Sequence, residues 1–315
     1  MNSMIQTVKL EKAALKLLKN NLKIQKNEKI LVVTDRKNCR VCNAVFRVSQ
    51  GFSKNVVAVH ISDKRSNSGP LPKLKQLFSS VDVIIAPTTK SISHSPETRV
   101  ARKRHGVRVA SMPKITGELF VKAFTVSVAQ QKAINGRLLK KLRGKRVRVT
   151  NKSGTDLTIG INKQKFDSDD GDCSKKGSLR NIPSGEVSAA PISDVNGKLC
   201  IDVWNGHLKP KNIKLEIANG KIVGYSKEAA QFITYLRKNG ECATYVVELG
   251  IGTNPKHRKP IGNILHDEKI LGSAHIAFGG FGNLRKCPIH EDVIIMKPTI
   301  QVDRKTIMEN GLPKW

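Results

Sequence analysis

Aromatic residues are scarce in this 315-residue chain, with Phe, Trp and Tyr together making up only 4%. So few flat rings leave little on which bases could stack, which argues against a platform for single-stranded nucleic acid. The cores must then be built from Ile, Leu, Val and Ala. Acidic residues are also few, 25 Asp+Glu against 56 Lys+Arg, for a formal charge of +31. No apolar run approaches the ~20 residues of a membrane helix, and the longest, Ile30–Val33 and Val81–Pro87, are strand-sized, so no membrane span is expected. The six cysteines, Cys39, Cys42, Cys173, Cys200, Cys242 and Cys287, lack a framework spacing. That pattern suits free thiols in a reducing, cytoplasmic compartment. Cys39 and Cys42 form a lone C-x-x-C after a strand, without the Trp and Pro common around redox pairs, and read as two small half-buried residues. There is no short apolar core ending in a small-residue cleavage site at the N-terminus. Val8–Leu22 instead forms an amphipathic pattern, with Leu10, Ala14, Leu17 and Leu18 on one side. Glu11 and the absence of arginine there weigh against a mitochondrial presequence.

The positive charge will attract polyanions nonspecifically in dilute buffer. It is spread along the chain, with concentrations at Arg99–Arg108 and Arg137–Arg148, and reads mainly as solvated surface. A non-enzymatic basic protein binding RNA or DNA remains an alternative.

Hydrophobic content of 39% and this length suit two domains. Over residues 1–140, apolar β-branched runs at Ile30–Thr34, Val56–Ile61, Val81–Ala86 and Val107–Ala110 alternate with helical stretches near Val41–Gln50, Leu71–Ser79 and Pro96–Arg104. This predicts an α/β domain with a parallel sheet, Rossmann- or flavodoxin-like. No glycine-rich phosphate motif follows any of these strands. Phe120–Leu142 reads as one long connecting helix. Residues 141–315 read as an α+β domain, with strands at Arg146–Thr150, Asp156–Ile161, Lys198–Val203, Lys211–Ala218, Lys221–Tyr225, Tyr245–Leu249 and Asp292–Met296, and a helix at Lys227–Lys238. Asn219–Gly220 is a type I′ turn signal.

Several residues in this second half could carry chemistry. His290 and Asp292, two apart at a strand start, share a face. His275 lies in a glycine-rich stretch, Gly272–Gly282. Glu248 ends an apolar strand, where a carboxylate must be exposed, paired or metal-bound. Glu186 follows the turn Pro183–Gly185. Imidazoles and carboxylates together suit Zn, Co, Mn or Fe, although a chance His/Asp pair on a surface strand explains the spacing as well. The acidic run Asp167–Asp172 misplaces its glycine for a calcium loop and reads as solvated. Asp267–Lys269 reads equally as a surface turn.

Several segments taken as text resemble the thermophilic aminopeptidase family. They are NIPSGEVSAAP at Asn181–Pro191, Glu248–Pro255, DEKILGSAHIAFG at Asp267–Gly279, the pair His290 and Asp292, and PTIQVDRKTIMENG at Pro298–Gly311. Pro87–Arg102 and Ala110–Glu118 resemble segments of its compact branch. The resemblance implies a homodimeric metallopeptidase that removes N-terminal residues from peptides. It implies two divalent ions (Zn, Co or Mn) held by Glu186, Glu248, His275, His290 and Asp292, with Glu248 bridging and Glu268 as general base. His94 and Arg99 would shape the substrate cleft. The chain departs from the family at Gly282, where the aminopeptidases carry a tyrosine seven residues after the first histidine. A related branch holds Fe(II) dioxygenases that open dihydroxypyridine rings with two histidines and an aspartate, a set that His275, His290 and Asp292 could supply.

Overall fold

The computed structural model describes residues 2–65, 67–161, 165–190, 192, 194–204, 207–208, 212–281 and 285–315; Gly282 lies outside them. The chain divides into two compact units, one of residues 1–130 with 170–184, the other of residues 131–169 with 185–315. The division is not a single cut, because a short segment returns to the first unit before the chain re-enters the second.

The first unit holds a five-stranded, all-parallel sheet in the order Val56–His60, Ile30–Thr34, Val83–Ala86, Arg108–Ser111 and Leu179–Asn181. The last strand is the returning segment. Leu31, Val33, Ile84, Ala86 and Val109 pack with Phe78 and Ala101 of the flanking helices. The strand order reverses between Ile30–Thr34 and Val83–Ala86, at whose carboxyl ends such sheets take ligands. Here Asp35 fills that position by accepting the backbone N–H groups of Thr89 and Lys90 and pairing with Arg65 at 3.4 Å. The N-terminal helix runs Asn2–Lys16 and ends in a π-turn, Leu17–Asn21, with Leu10, Ala14, Leu17 and Leu18 buried as its pattern requires. No helix among the described residues is long and apolar enough to cross a membrane.

The second unit packs two antiparallel sheets on one core. The eight-stranded sheet runs in the order Lys221–Tyr225, Lys214–Ala218, Val195–Cys200, Asp156–Gly160, Arg146–Thr150, Thr299–Val302, Lys305–Glu309 and Leu312–Pro313. The seven-stranded sheet runs His207–Leu208, Val203–Trp204, Arg285–Met296, Ser273–Phe281, Val246–Gly252, Glu186–Ala189 and Phe166–Asp169. Val147, Leu157 and Ile300 of the first sheet meet Val187, Leu249, Ile276 and Val293 of the second, along with Phe232 and Leu236 of the helix Ala230–Lys238. Asn219 and Gly220 both take positive φ, as a type I′ turn demands.

Three expectations are corrected. Phe120–Leu142 is two helices, Gly117–Lys122 and Val128–Lys141. The break is a capping box: Ser127 Oγ accepts the Gln130 N–H, and the Gln130 side chain accepts the Ser127 N–H. Four cysteines are not free thiols. Cys39 caps the helix Arg40–Ser49 and is bonded to Cys42 in its first turn, and Cys242 is bonded to Cys287 across 45 residues. Cys173 and Cys200 remain free and buried. Finally, the strand carrying His290 and Asp292 begins at Arg285, so the pair lies within it rather than at its start.

Candidate metal centre

One face of the seven-stranded sheet is the core, and side-chain alternation decides what the other face carries. On Ser273–Phe281, Ala274, Ile276 and Phe278 enter the core, which turns His275, Ala277 and Gly279 the other way. On Arg285–Met296, Val293 and Ile295 face inward, leaving His290 and Asp292 beside His275. Val187 and Ala189 point inward and Glu186 outward. Glu248 needs a further device, since Val246 is in the core and residues two apart normally share a face. The register shifts between Val246 and Glu248, and this β-bulge turns Glu248 onto the outer face with the others.

Small residues make room there. Ala277 pairs with Glu248 on one side and Asp292 on the other, so it separates the two carboxylates. Gly250 lies opposite His275, where a Cβ would stand 2.0 Å from both Cε1 and Nε2 of the imidazole. Gly185, at φ +125°, sets the approach to Glu186; a side chain there would strike the backbone of Asn254. Behind it, buried Asn135 donates to the Glu186 carbonyl and to Ser168 Oγ, and accepts from Thr253 Oγ1, tying two strands to the residue that follows Val246–Gly252.

The donors meet in pairs. His290 Nε2 stands 3.3 Å from Glu248 Oε2 and 3.5 Å from Asp292 Oδ1, and His275 Nε2 stands 3.4 Å from Glu186 Oε2. These separations are long for N–H···O hydrogen bonds, whose usual length is about 2.9 Å. They match the ~3.4 Å between neighbouring ligand atoms that each lie about 2.1 Å from a shared tetrahedral cation. Among the described residues, no group of three or more His, Cys, Asp or Glu is placed to hold an ion as it stands. The chemistry of the donors nevertheless fits a cation. His290 Nδ1 lies 2.7 Å from the Gly280 carbonyl, which keeps a proton on that nitrogen and turns the Nε2 lone pair toward two carboxylates. Only a proton or a metal ion can sit among three such acceptors. On the strand's other face, Glu291 accepts from Trp204 Nε1 (2.8 Å) and Tyr235 Oη (3.0 Å), fixing the backbone between His290 and Asp292.

The titration directions agree. Burial pushes the His290 imidazole down, but Asp292 and Glu248 together outweigh it and raise it well above its ordinary value. Burial likewise pushes Asp292 up, and His290 overrides it, holding Asp292 at about 2. Burial pushes Glu248 up as well, and His290 beside it overrides that, holding the carboxyl below its usual range.

Glu268 is buried, not part of a surface turn, and Asp267 and Lys269 beside it are fully buried. Burial raises the Glu268 carboxyl well above the carboxylate range; Lys269 opposes this, while Asp292 and Glu186 add to it. Lys269 is the residue that sequence reasoning missed. Its ammonium lies 2.6 Å from Glu186 Oε1, 2.7 Å from Glu268 Oε1 and 3.8 Å from Asp169 Oδ2. Asp169 comes from the acidic run read as solvated; it ends the strand Phe166–Asp169 and is buried. His94 is exposed and Arg99 partly exposed on the helix Pro96–His105, both in the first unit. Their assignment to substrate rests on the resemblance.

The chain thus joins a parallel α/β unit to an antiparallel unit that carries this His–carboxylate face. The chain belongs to the thermophilic metalloprotease family (M29), whose model matches residues 89–284, and the members of that family are metal-dependent peptide hydrolases. No curated protein matches the chain. Among solved structures, 2,5-dihydroxypyridine dioxygenase from Pseudomonas putida KT2440 is similar at TM-score 0.79 and 19% identity, over 98% of this chain and 96% of that one. Wild-type AmpT from Thermus thermophilus is similar at TM-score 0.70 and 14% identity, over 98% and 99%. At these identities the two likenesses concern the fold alone.

Proposed function

We propose that this protein is a metal-dependent aminopeptidase that removes N-terminal residues from peptides, with its metal held at Glu248, His290 and Asp292 beside His275 and Glu186. The observation that carries this reading is His290, its Nδ1 held by the Gly280 carbonyl and its Nε2 3.3 Å from Glu248 Oε2 and 3.5 Å from Asp292 Oδ1, an arrangement that a proton or a metal ion satisfies. A divalent ion there would lower the pKa of a bound water and polarise the scissile carbonyl. Glu268 would take a proton from the attacking water as a carboxylate and then return it, as the acid, to the leaving amine; its burial eases the protonated state between the two steps. Gly280 keeps His290 in the tautomer the site needs, and Glu291 keeps its strand in register. The family resemblance extends the reading to a cytoplasmic homodimer, which sedimentation at micromolar concentration tests.

Aminoacyl-nitroanilide and short-peptide turnover with Co²⁺, Zn²⁺ or Mn²⁺ tests the activity. We expect turnover that Glu248→Ala abolishes; absence of turnover with every divalent ion would retire the proposal. The fold likeness to a dioxygenase and the His275, His290 and Asp292 set favour one second reading, an Fe(II) ring-cleaving oxygenase. Oxygen uptake with dihydroxypyridines in the iron-loaded protein separates the two.

A further inference from the structure

Lys269 puts its side-chain nitrogen inside the candidate metal centre, with none of its side chain exposed. A buried ammonium persists only when paired, and its partners here are Glu186 and Glu268 at hydrogen-bonding distance, with Asp169 farther off. Glu186 thereby commits Oε1 to the lysine and keeps only Oε2 for the His275 side.

The two imidazoles are prepared differently for an ion. His290 Nδ1 is held by the Gly280 carbonyl, the usual support of a metal-binding histidine. Buried His275 Nδ1 has no hydrogen-bond partner among the described residues, so nothing fixes which of its nitrogens carries the proton. The position around Glu248, His290 and Asp292 therefore has three donors and a fixed tautomer. The position between Glu186 and His275 has two donors, one of them shared with an ammonium that would repel a second dication.

We propose that the Lys269 ammonium stands in for one cation of a two-ion site, so that this chain holds a single tightly bound divalent ion at Glu248, His290 and Asp292. The inference rests on the metal-dependent reading above and revises the two-ion expectation that came with the resemblance.

The test counts ions in the full-length protein, stripped with chelator, reloaded with Co²⁺ or Zn²⁺, desalted and analysed by mass spectrometry of the metal. Wild type and Lys269→Arg should each retain one ion per chain and His290→Ala none. Lys269→Met, which frees Glu186 and Glu268, should retain two and show a larger metal-induced rise in melting temperature than wild type. Two ions in the wild type would overturn the role of Lys269 and leave the metal-dependent reading intact. One ion in a folded Lys269→Met would do the same. If that variant does not fold, the wild-type and Lys269→Arg counts decide, one each supporting the proposal and two overturning it. No ion in any variant overturns both readings.

Discussion

Gly250→Ala is the smallest change that should damage the candidate centre. The added Cβ would stand 2.0 Å from Cε1 and Nε2 of His275 and 2.8 Å from Cδ2, whereas ordinary contact begins at 3.4 Å. The ring must therefore retreat by about 1.4 Å, and at 1% exposure His275 has no open space to enter. Overpacking of this kind costs about 1–3 kcal/mol. At roughly 2–4 °C per kcal/mol for domains of this size, the melting temperature should fall by about 2–12 °C. A displaced ligand should also cost on the order of 100-fold in turnover, as a ~1 Å misplacement does elsewhere. Thermal melts of Gly250→Ala, His275→Ala and the double variant isolate the cause. With the imidazole removed, the alanine should cost less than about 0.5 kcal/mol, so most of the single-variant penalty should appear as coupling between the two positions. An equal penalty in both backgrounds would refute the argument that His275 lies over Gly250.

The proton shared by His290, Glu248 and Asp292 makes the metal-free protein sensitive to pH. A raised imidazole contributes stability in full below its unfolded value of about 6.5 and loses it as pH climbs through the folded value, so metal-free stability should decline above about pH 6.5. Metal displaces that proton, so affinity should rise over the same window, and a flat denaturation midpoint from pH 6 to 9 would contradict this. Asp292, held at about 2, should stabilise the metal-free fold above its unfolded value of about 3.9 and cease to do so as pH falls through 2. Glu291→Ala strips the acceptor from Trp204 and Tyr235 and should destabilise by about 1–3 kcal/mol, with faster amide exchange at 290–292; unchanged exchange would remove Glu291 from its positioning role. Peptide mapping without reductant should recover the Cys39–Cys42 and Cys242–Cys287 pairs, with Cys173 and Cys200 alkylated only after unfolding; reducing the 45-residue bridge should cost about 2–4 kcal/mol.

What the sequence revealed and what it hid follow from how local each signal is. Side-chain alternation alone put His290 and Asp292 on one face, and the Asn219–Gly220 turn needs only its own two residues. Glu248 is different: a strict period of two would send it to the same face as Val246, and only the bulge, set by pairing with Ser273–Phe281, reverses that. Lys269 reads as surface because a lysine between charged neighbours usually is; its carboxylate partners at Glu186 and Asp169 lie far away in the chain. Cys242 and Cys287 are hidden for the same reason, since no local spacing brings a turn after a helix against a distant strand. The break before Val128 was legible, because Ser127 and Gln130 carry the capping-box spacing, but the apolar period runs across it and suggests one helix.

The central claim is that the outer face of the seven-stranded sheet binds a divalent cation through His290. Anomalous diffraction from crystals of the protein loaded with Co²⁺ or Zn²⁺ tests it most directly. A peak is expected about 2.1 Å from His290 Nε2 and within ligand distance of Glu248 and Asp292. A peptidase-active crystal form with its metal elsewhere, or with His290 turned away from the ion, would contradict it.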